Sequence, residues 1–250
     1  MTVDEALKQA ITHHRDGRMA EAERLYRAIL AAIPGHPDAN HNLGLLALHF
    51  GKAEAALPHF QAAIATRPDI PMFHVSLGNA LEGLRRTNEA EASYRRAIQV
   101  DSTHFEGLYN LGVMLKDRGR LAEAEASFRQ AIAVRPEFAA AHNNLGIVLN
   151  GLKRLDDAAR SFRRGLELDP GDPKTRMNLA NVLMGQGALD EAAAEFERVL
   201  AIAPDMTEAH SNMGQLLRNL GQPDAAMAHY RRAQELNPGS LPAHRNLLLT

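Results

Sequence analysis

The chain has 250 residues, 28 Lys and Arg against 30 Asp and Glu, a formal net charge of −2, and neither cysteine nor tryptophan. The missing cysteines exclude disulfides, thiolate metal sites and a cysteine nucleophile, and the balanced charge offers no global attraction to nucleic acid or an anionic membrane. No apolar run approaches the ~18 residues of a spanning helix, and the opening Met1-Thr2-Val3-Asp4-Glu5-Ala6 is acidic where a secretory signal is basic, so the expectation is a cytoplasmic protein with no membrane or nucleic-acid partner.

Along the chain, one unit returns at a fixed interval. Gly44, Gly78, Gly112, Gly146 and Gly214 are spaced by 34 or its multiple, with Ala180 in the empty slot. Each is preceded by Leu43, Leu77, Leu111, Leu145, Leu179 or Met213. Twelve positions later stands an alanine (Ala56, Ala90, Ala124, Ala158, Ala192, Ala226), and Ala22 keeps the phase near the N-terminus. Four further on stands an aromatic: Tyr26, Phe60, Tyr94, Phe128, Phe162, Phe196 or Tyr230. Eight beyond that comes Pro34, Pro68, Pro136, Pro170, Pro204 or Pro238, with Ser102 the exception.

The stripe Ala141, Leu145, Val148, Leu149 and Leu152 has helical period, and so has Ala158, Phe162, Gly165 and Leu166. Gly151 and Lys153-Arg154 mark a turn between the two stripes. Asp156 and Asp157 suit the positive end of the second helix, and Pro170 stops it. The spacing predicts helices near 4–17 and 20–33, repeated at the same interval along the chain. That makes fourteen helices, a partial fifteenth at Leu241–Thr250, and no strand. A mid-helix glycine costs about 0.5–1 kcal/mol against alanine, so close approach of the paired helix, at the alanine twelve positions on, is its expected reason. Gly165 stands where Ala63, Ala97, Ala131 and Ala233 stand elsewhere, which reads either as a volume exchange with Ala180 or as drift.

This register resembles the tetratricopeptide repeat, a helix–turn–helix of about 34 residues, over essentially the whole chain. The resemblance implies an all-α, right-handed α-solenoid, a superhelix of about seven helix pairs. The repeats are placed at 3–36, 37–70, 71–104, 105–138, 139–172, 173–206 and 207–240, with 241–250 the first helix of a truncated eighth. One pair cannot bury both its faces, but a stack can. Nothing covers Leu247-Leu248-Leu249, so either the protein continues past Thr250 or this end self-associates with a neighbouring molecule.

No catalytic constellation emerges. Gly51-Lys52 is followed by Ala53 rather than Ser or Thr, and neither His-Glu-x-x-His nor Gly-x-Ser-x-Gly occurs. His74, His142, His210 and His244 share one repeat position, where a polar-tipped core filler is weighed against a metal ligand. Neighbours His13 and His14 point to different helix faces and make a poor chelate. The expectation is no enzyme, cofactor or metal in this chain.

Asn42, Asn110, Asn144, Asn178, Asn212 and Asn246 recur at 34 or its multiples, with Ser76 in the remaining slot. Asparagine is a mediocre helix former, so the line asks for a reason. Two are open. Each carboxamide meets the backbone of a bound peptide, which offers the same donor and acceptor, or it bonds its own or a neighbouring helix. In tetratricopeptide proteins this first-helix face lines the concave groove, and adjacent repeats ~10 Å apart would meet about every third residue of an extended strand. The line resembles the asparagine ladder of O-GlcNAc transferases, as the closing Ala243-His244-Arg245-Asn246-Leu247-Leu248-Leu249-Thr250 resembles the passage toward their catalytic portion. The positions where chaperone-tail binders of the family place a lysine hold His41, Val75, Tyr109, Asn143, Met177 and Ser211. Two functions follow: a protein- or peptide-binding scaffold, or the substrate-recruiting part of a larger glycosyltransferase. A self-assembling scaffold is a third.

Overall fold

A computed structural model describes residues 1–238. Among them are fourteen α-helices and no strand: α1 (Val3–Arg15), α2 (Met19–Ala32), α3 (Pro37–His49), α4 (Ala53–Thr66), α5 (Pro71–Gly83), α6 (Thr87–Val100), α7 (Phe105–Asp117), α8 (Leu121–Val134), α9 (Ala139–Gly151), α10 (Leu155–Leu168), α11 (Pro173–Gly185), α12 (Leu189–Ile202), α13 (Thr207–Asn219) and α14 (Pro223–Leu236). Both series of helices, first and second of each pair, keep the interval of the sequence repeat without drift. First helices span 13 residues and second helices 14. The partial fifteenth helix expected at Leu241–Thr250 lies outside the described residues.

First helices end about two residues earlier than the sequence predicts, and the turn chemistry says why. The backbone goes left-handed at Gly17, Gly51, Arg85, Gly119, Lys153, Gly187 and Gly221, once in every pair and in the same phase. The next residue's N–H then reaches back five residues to a carbonyl of the ending helix, as in Arg18 N to His13 O (2.8 Å), Arg86 N to Leu81 O (2.8 Å) and Gln222 N to Leu217 O (2.9 Å). This is the Schellman closure, which satisfies carbonyls that a helix end leaves open. First-helix starts are set locally too: Thr2 and Glu5 form a capping box, Asp172 accepts from Lys174 N and Thr175 N, and proline fills the first position of α3, α5 and α11.

The core is one aromatic per pair, each fully buried: Tyr26, Phe60, Tyr94, Phe128, Phe162, Phe196 and Tyr230. These rings explain the glycines. A Cβ on Gly44, Gly78, Gly146 or Gly214 would lie 2.5–2.6 Å from an edge carbon of Phe60, Tyr94, Phe162 or Tyr230. The close neighbour is therefore the aromatic sixteen positions on, not the alanine twelve on, because only the ring is long enough to lie across the first helix. Gly165 is likewise not matched to Ala180. Its nearest neighbours are Thr175 Cγ2 at 3.4 Å and the Ala139 carbonyl at 3.5 Å.

The chain forms two compact units, Met1–Met114 and from Leu115 on. Within each, helices pack on their chain neighbours. First helices also touch from pair to pair, α3 on α5 in the first unit, α9 on α11 and α11 on α13 in the second. The asparagine line lies along these first helices.

Candidate functional site

Asn42, Asn110, Asn144, Asn178 and Asn212 are all half-buried, on first helices. Asn246 lies outside the described residues. The line is cross-linked sideways. Asn110 Nδ2 donates to Asn79 Oδ1 on α5 (3.0 Å), and Asn212 Nδ2 to Asn181 Oδ1 on α11 (2.9 Å). Asn178 Nδ2 donates to Asn143 Oδ1 on α9 (3.2 Å). Asn144 Oδ1 accepts from Lys116 Nζ (3.0 Å) while its Nδ2 donates to Ala140 O (3.0 Å). Ser76 belongs to the same pattern: its Oγ is 2.9 Å from His41 Nε2, and both residues are buried. Asn42 turns back on its own helix, donating to Asp38 O (2.8 Å). Each member from Ser76 onward thus fastens its first helix to an earlier polar side chain.

A primary amide has two N–H groups and two acceptor lone pairs. Asn110, Asn178 and Asn212 each use one N–H on the neighbouring helix. Their Oδ1 atoms accept nothing from the described residues. One donor and one acceptor per side chain remain for a ligand. Apolar Leu45, Val113, Ile147 and Met177 are half-buried nearby on the same helices.

The shared histidine position has a structural duty. His74, His142 and His210 donate through Nε2 to the carbonyls of Pro68, Pro136 and Pro204 at 2.9, 2.8 and 2.9 Å. Asn40 and Arg176 do the same to Pro34 and Pro170, at 2.8 and 2.9 Å. The one pair without the proline, at Ser102, has Leu108 in place of the donor. A side chain six positions past the proline therefore secures the end of the preceding second helix. His244 lies outside the described residues. Among the histidines, His41 is shifted most: burial lowers it to about 4, with Asp38 opposing.

An inward-reaching tyrosine adds to the first-helix face. The Tyr94 hydroxyl lies 2.7 Å from Asn79 Oδ1 and 2.8 Å from Glu82 Oε2. Burial, then Glu82, raises its pKa far above the usual phenol value. Sequence reasoning passed over Asn79, Asn143 and Asn181 as members of the line, since they alternate between two register positions; only the fold brings them beside Asn110, Asn178 and Asn212.

The repeated helix pair and its aromatic-over-glycine core define a helix-pair repeat protein. Models of the tetratricopeptide repeat match residues 7–71, 75–130, 109–173, 149–199 and 183–249, and the chain belongs to that family. Among curated proteins it is similar to the peroxisomal targeting signal receptors of Eremothecium gossypii (35% identical over 89 residues, 35% of this chain) and Candida albicans (30% over 118 residues, 44% of this chain). It covers only 16% and 20% of the length of those relatives. Similar solved structures include YrrB, described as having an unusual peptide-binding site (TM-score 0.66, 24% identity, 74% of this chain and 96% of that one). PilF of Pseudomonas aeruginosa gives 0.73, 23%, 86% and 97%. The C-terminal part of a repeat protein from Cytophaga hutchinsonii gives 0.76, 18%, 96% and 99%. At these identities the likeness is one of fold. No helix among the described residues is long and apolar enough to cross a membrane.

Proposed function

We propose that the chain is a non-catalytic scaffold that holds an extended segment of another protein along its first helices, with Asn42, Asn110, Asn144, Asn178, Asn212 and Asn246 gripping the segment's backbone. The seven repeats at 3–36 through 207–240, and the truncated eighth, are part of this reading. One observation carries it: Asn110, Asn178 and Asn212 each retain an unused carbonyl and an unused N–H, the pair a peptide unit complements. The peptide-binding description of YrrB and the targeting-signal receptors among the relatives are in line with it. A scaffold of this kind reads shape and backbone first, so it tolerates sequence.

The second reading, recruitment of substrate for a glycosyltransferase carried elsewhere in the protein, rests on the same asparagine line. An open reading frame continuing past Thr250 into a sugar-nucleotide-binding portion would favour it.

The test replaces Asn110, Asn144, Asn178 and Asn212 with alanine together. Stability should change little, since the lost cross-links, about 0.5–1.5 kcal/mol each, are offset in part by alanine's helix preference of up to about 0.7 kcal/mol per site. Affinity for unstructured peptides of unrelated sequence should fall by a similar factor for each. Loss confined to one peptide sequence would contradict backbone recognition, and a collapse of the fold would make the line structural.

A further inference from the structure

Tyr94 and Tyr230 occupy the same repeat position, and each ring lies across its glycine, Gly78 or Gly214. One and four positions past Gly78 stand Asn79 and Glu82, which take the Tyr94 hydroxyl. One and four positions past Gly214 stand Gln215 and Arg218. The Tyr230 hydroxyl is fully buried and has no hydrogen-bond partner among the described residues. Arg218 is half-buried and makes no ion pair or hydrogen bond with the described residues; burial raises the Tyr230 pKa, and the nearby Arg218 charge opposes that rise. The α13–α14 pair thus repeats the Tyr94 site with its carboxylate replaced by a cation. A buried hydroxyl left unpaired is destabilising, and none of the described residues pairs with this one.

We propose that Tyr230 and Arg218 form a subsite for a carboxylate of the bound segment, the ligand oxygen standing where Glu82 stands beside Tyr94. Arg218 pairs with the carboxylate and shifts to admit it to the hydroxyl. Tyr230 then donates to one oxygen, and Gln215 offers an amide N–H to the other. The inference rests on the peptide-binding reading above and adds a specificity to it: a segment held by its backbone along α9, α11 and α13 is selected for an acidic group at the α13 end. That group is an aspartate or glutamate side chain or a chain terminus.

Three labelled, unstructured peptides test it by fluorescence anisotropy. One is neutral and amidated, one amidated with a single internal glutamate, and one neutral with a free terminus. At least one carboxylate-bearing peptide should bind about tenfold more tightly than the neutral one, the scale of a charge-assisted hydrogen bond. Whichever of the two gains shows the source. Tyr230→Phe should abolish the advantage while leaving neutral-peptide affinity and folding intact, because Phe60, Phe128, Phe162 and Phe196 fill this slot elsewhere. Arg218→Glu, which rebuilds the arrangement at Tyr94, should abolish it too and raise Tm. An advantage that survives Tyr230→Phe overturns the subsite. Equal binding of all three peptides overturns the subsite and leaves the asparagine reading standing, whereas no binding of any peptide overturns both.

Discussion

At Gly146 a Cβ would stand 2.6 Å from Phe162 Cε1. Gly146→Ala gains about 0.5–1 kcal/mol of helix propensity but meets overpacking of about 1–3 kcal/mol. A net loss, read as a lower midpoint in urea, is expected; a gain would show the ring yields. Ala180 faces the same slot with Phe196, both fully buried, so the penalty is one of fit. The left-handed residues give the opposite sign. Lys153 sits at φ 64 where five other pairs use glycine. Lys153→Gly relieves strain of about 1–2 kcal/mol and returns part of it as chain entropy, so a stabilisation of about 0.5–1 kcal/mol should appear in denaturant titration. His41 supplies a pH dependence. Its folded pKa, lowered to about 4 chiefly by burial, lies below the ordinary 6.5, so the unfolded chain binds the proton more readily. Its stabilisation is complete above pH 6.5 and is lost as pH falls toward 4, by about 3 kcal/mol in all. His14, His59 and His229 shift the same way. His41→Met, the residue at this slot in α11, should flatten the acid limb of the stability profile; an unchanged limb would assign it to other groups. The recurring glycine was legible in sequence, and its neighbour was not. Spacing identifies which residues share a phase, while ring reach decides which of them touch.

Helix placement was legible because the prolines, small residues and aromatics share one period. The first-helix ends were misjudged because the left-handed position is interrupted by Arg85 and Lys153, which hid a glycine line of equal regularity. The histidine duty was also hidden: its partner is a backbone carbonyl, which sequence does not display. Two element-scale changes follow. His142→Leu copies the Leu108 pair but leaves the Pro136 carbonyl without its donor, and should cost about 1 kcal/mol. Pro58 lies on the exposed face inside α4, where it removes a helix hydrogen bond. Pro58→Ala should raise Tm, by an amount corresponding to about 1–2 kcal/mol, less than the ~3 kcal/mol of an interior proline because the unfolded chain regains freedom. A fall in Tm would mean that the proline fits a bend the fold needs.

At the scale of the molecule, the described helices within each unit pack on their chain neighbours and on the next first helix, so stability there is built pair by pair. Within each unit the asparagine line ties first helices sideways, and the proposed grip on a peptide uses what is left of the amides. Sequence weighed those duties as alternatives; the lateral bonds of Asn110, Asn178 and Asn212 leave room for both, since each gives one N–H to the neighbour and keeps its other N–H and its carbonyl. The measurement that bears most directly on the backbone-gripping claim is a double-mutant cycle on binding. One arm replaces Asn110, Asn178 and Asn212 with alanine, and the other methylates the backbone nitrogens of an unstructured peptide. If the amides grip the backbone, each change weakens binding alone, and methylation has little further effect on the triple variant. Independent, additive losses, or a methylated peptide that binds the parent as well as the plain one does, would contradict it.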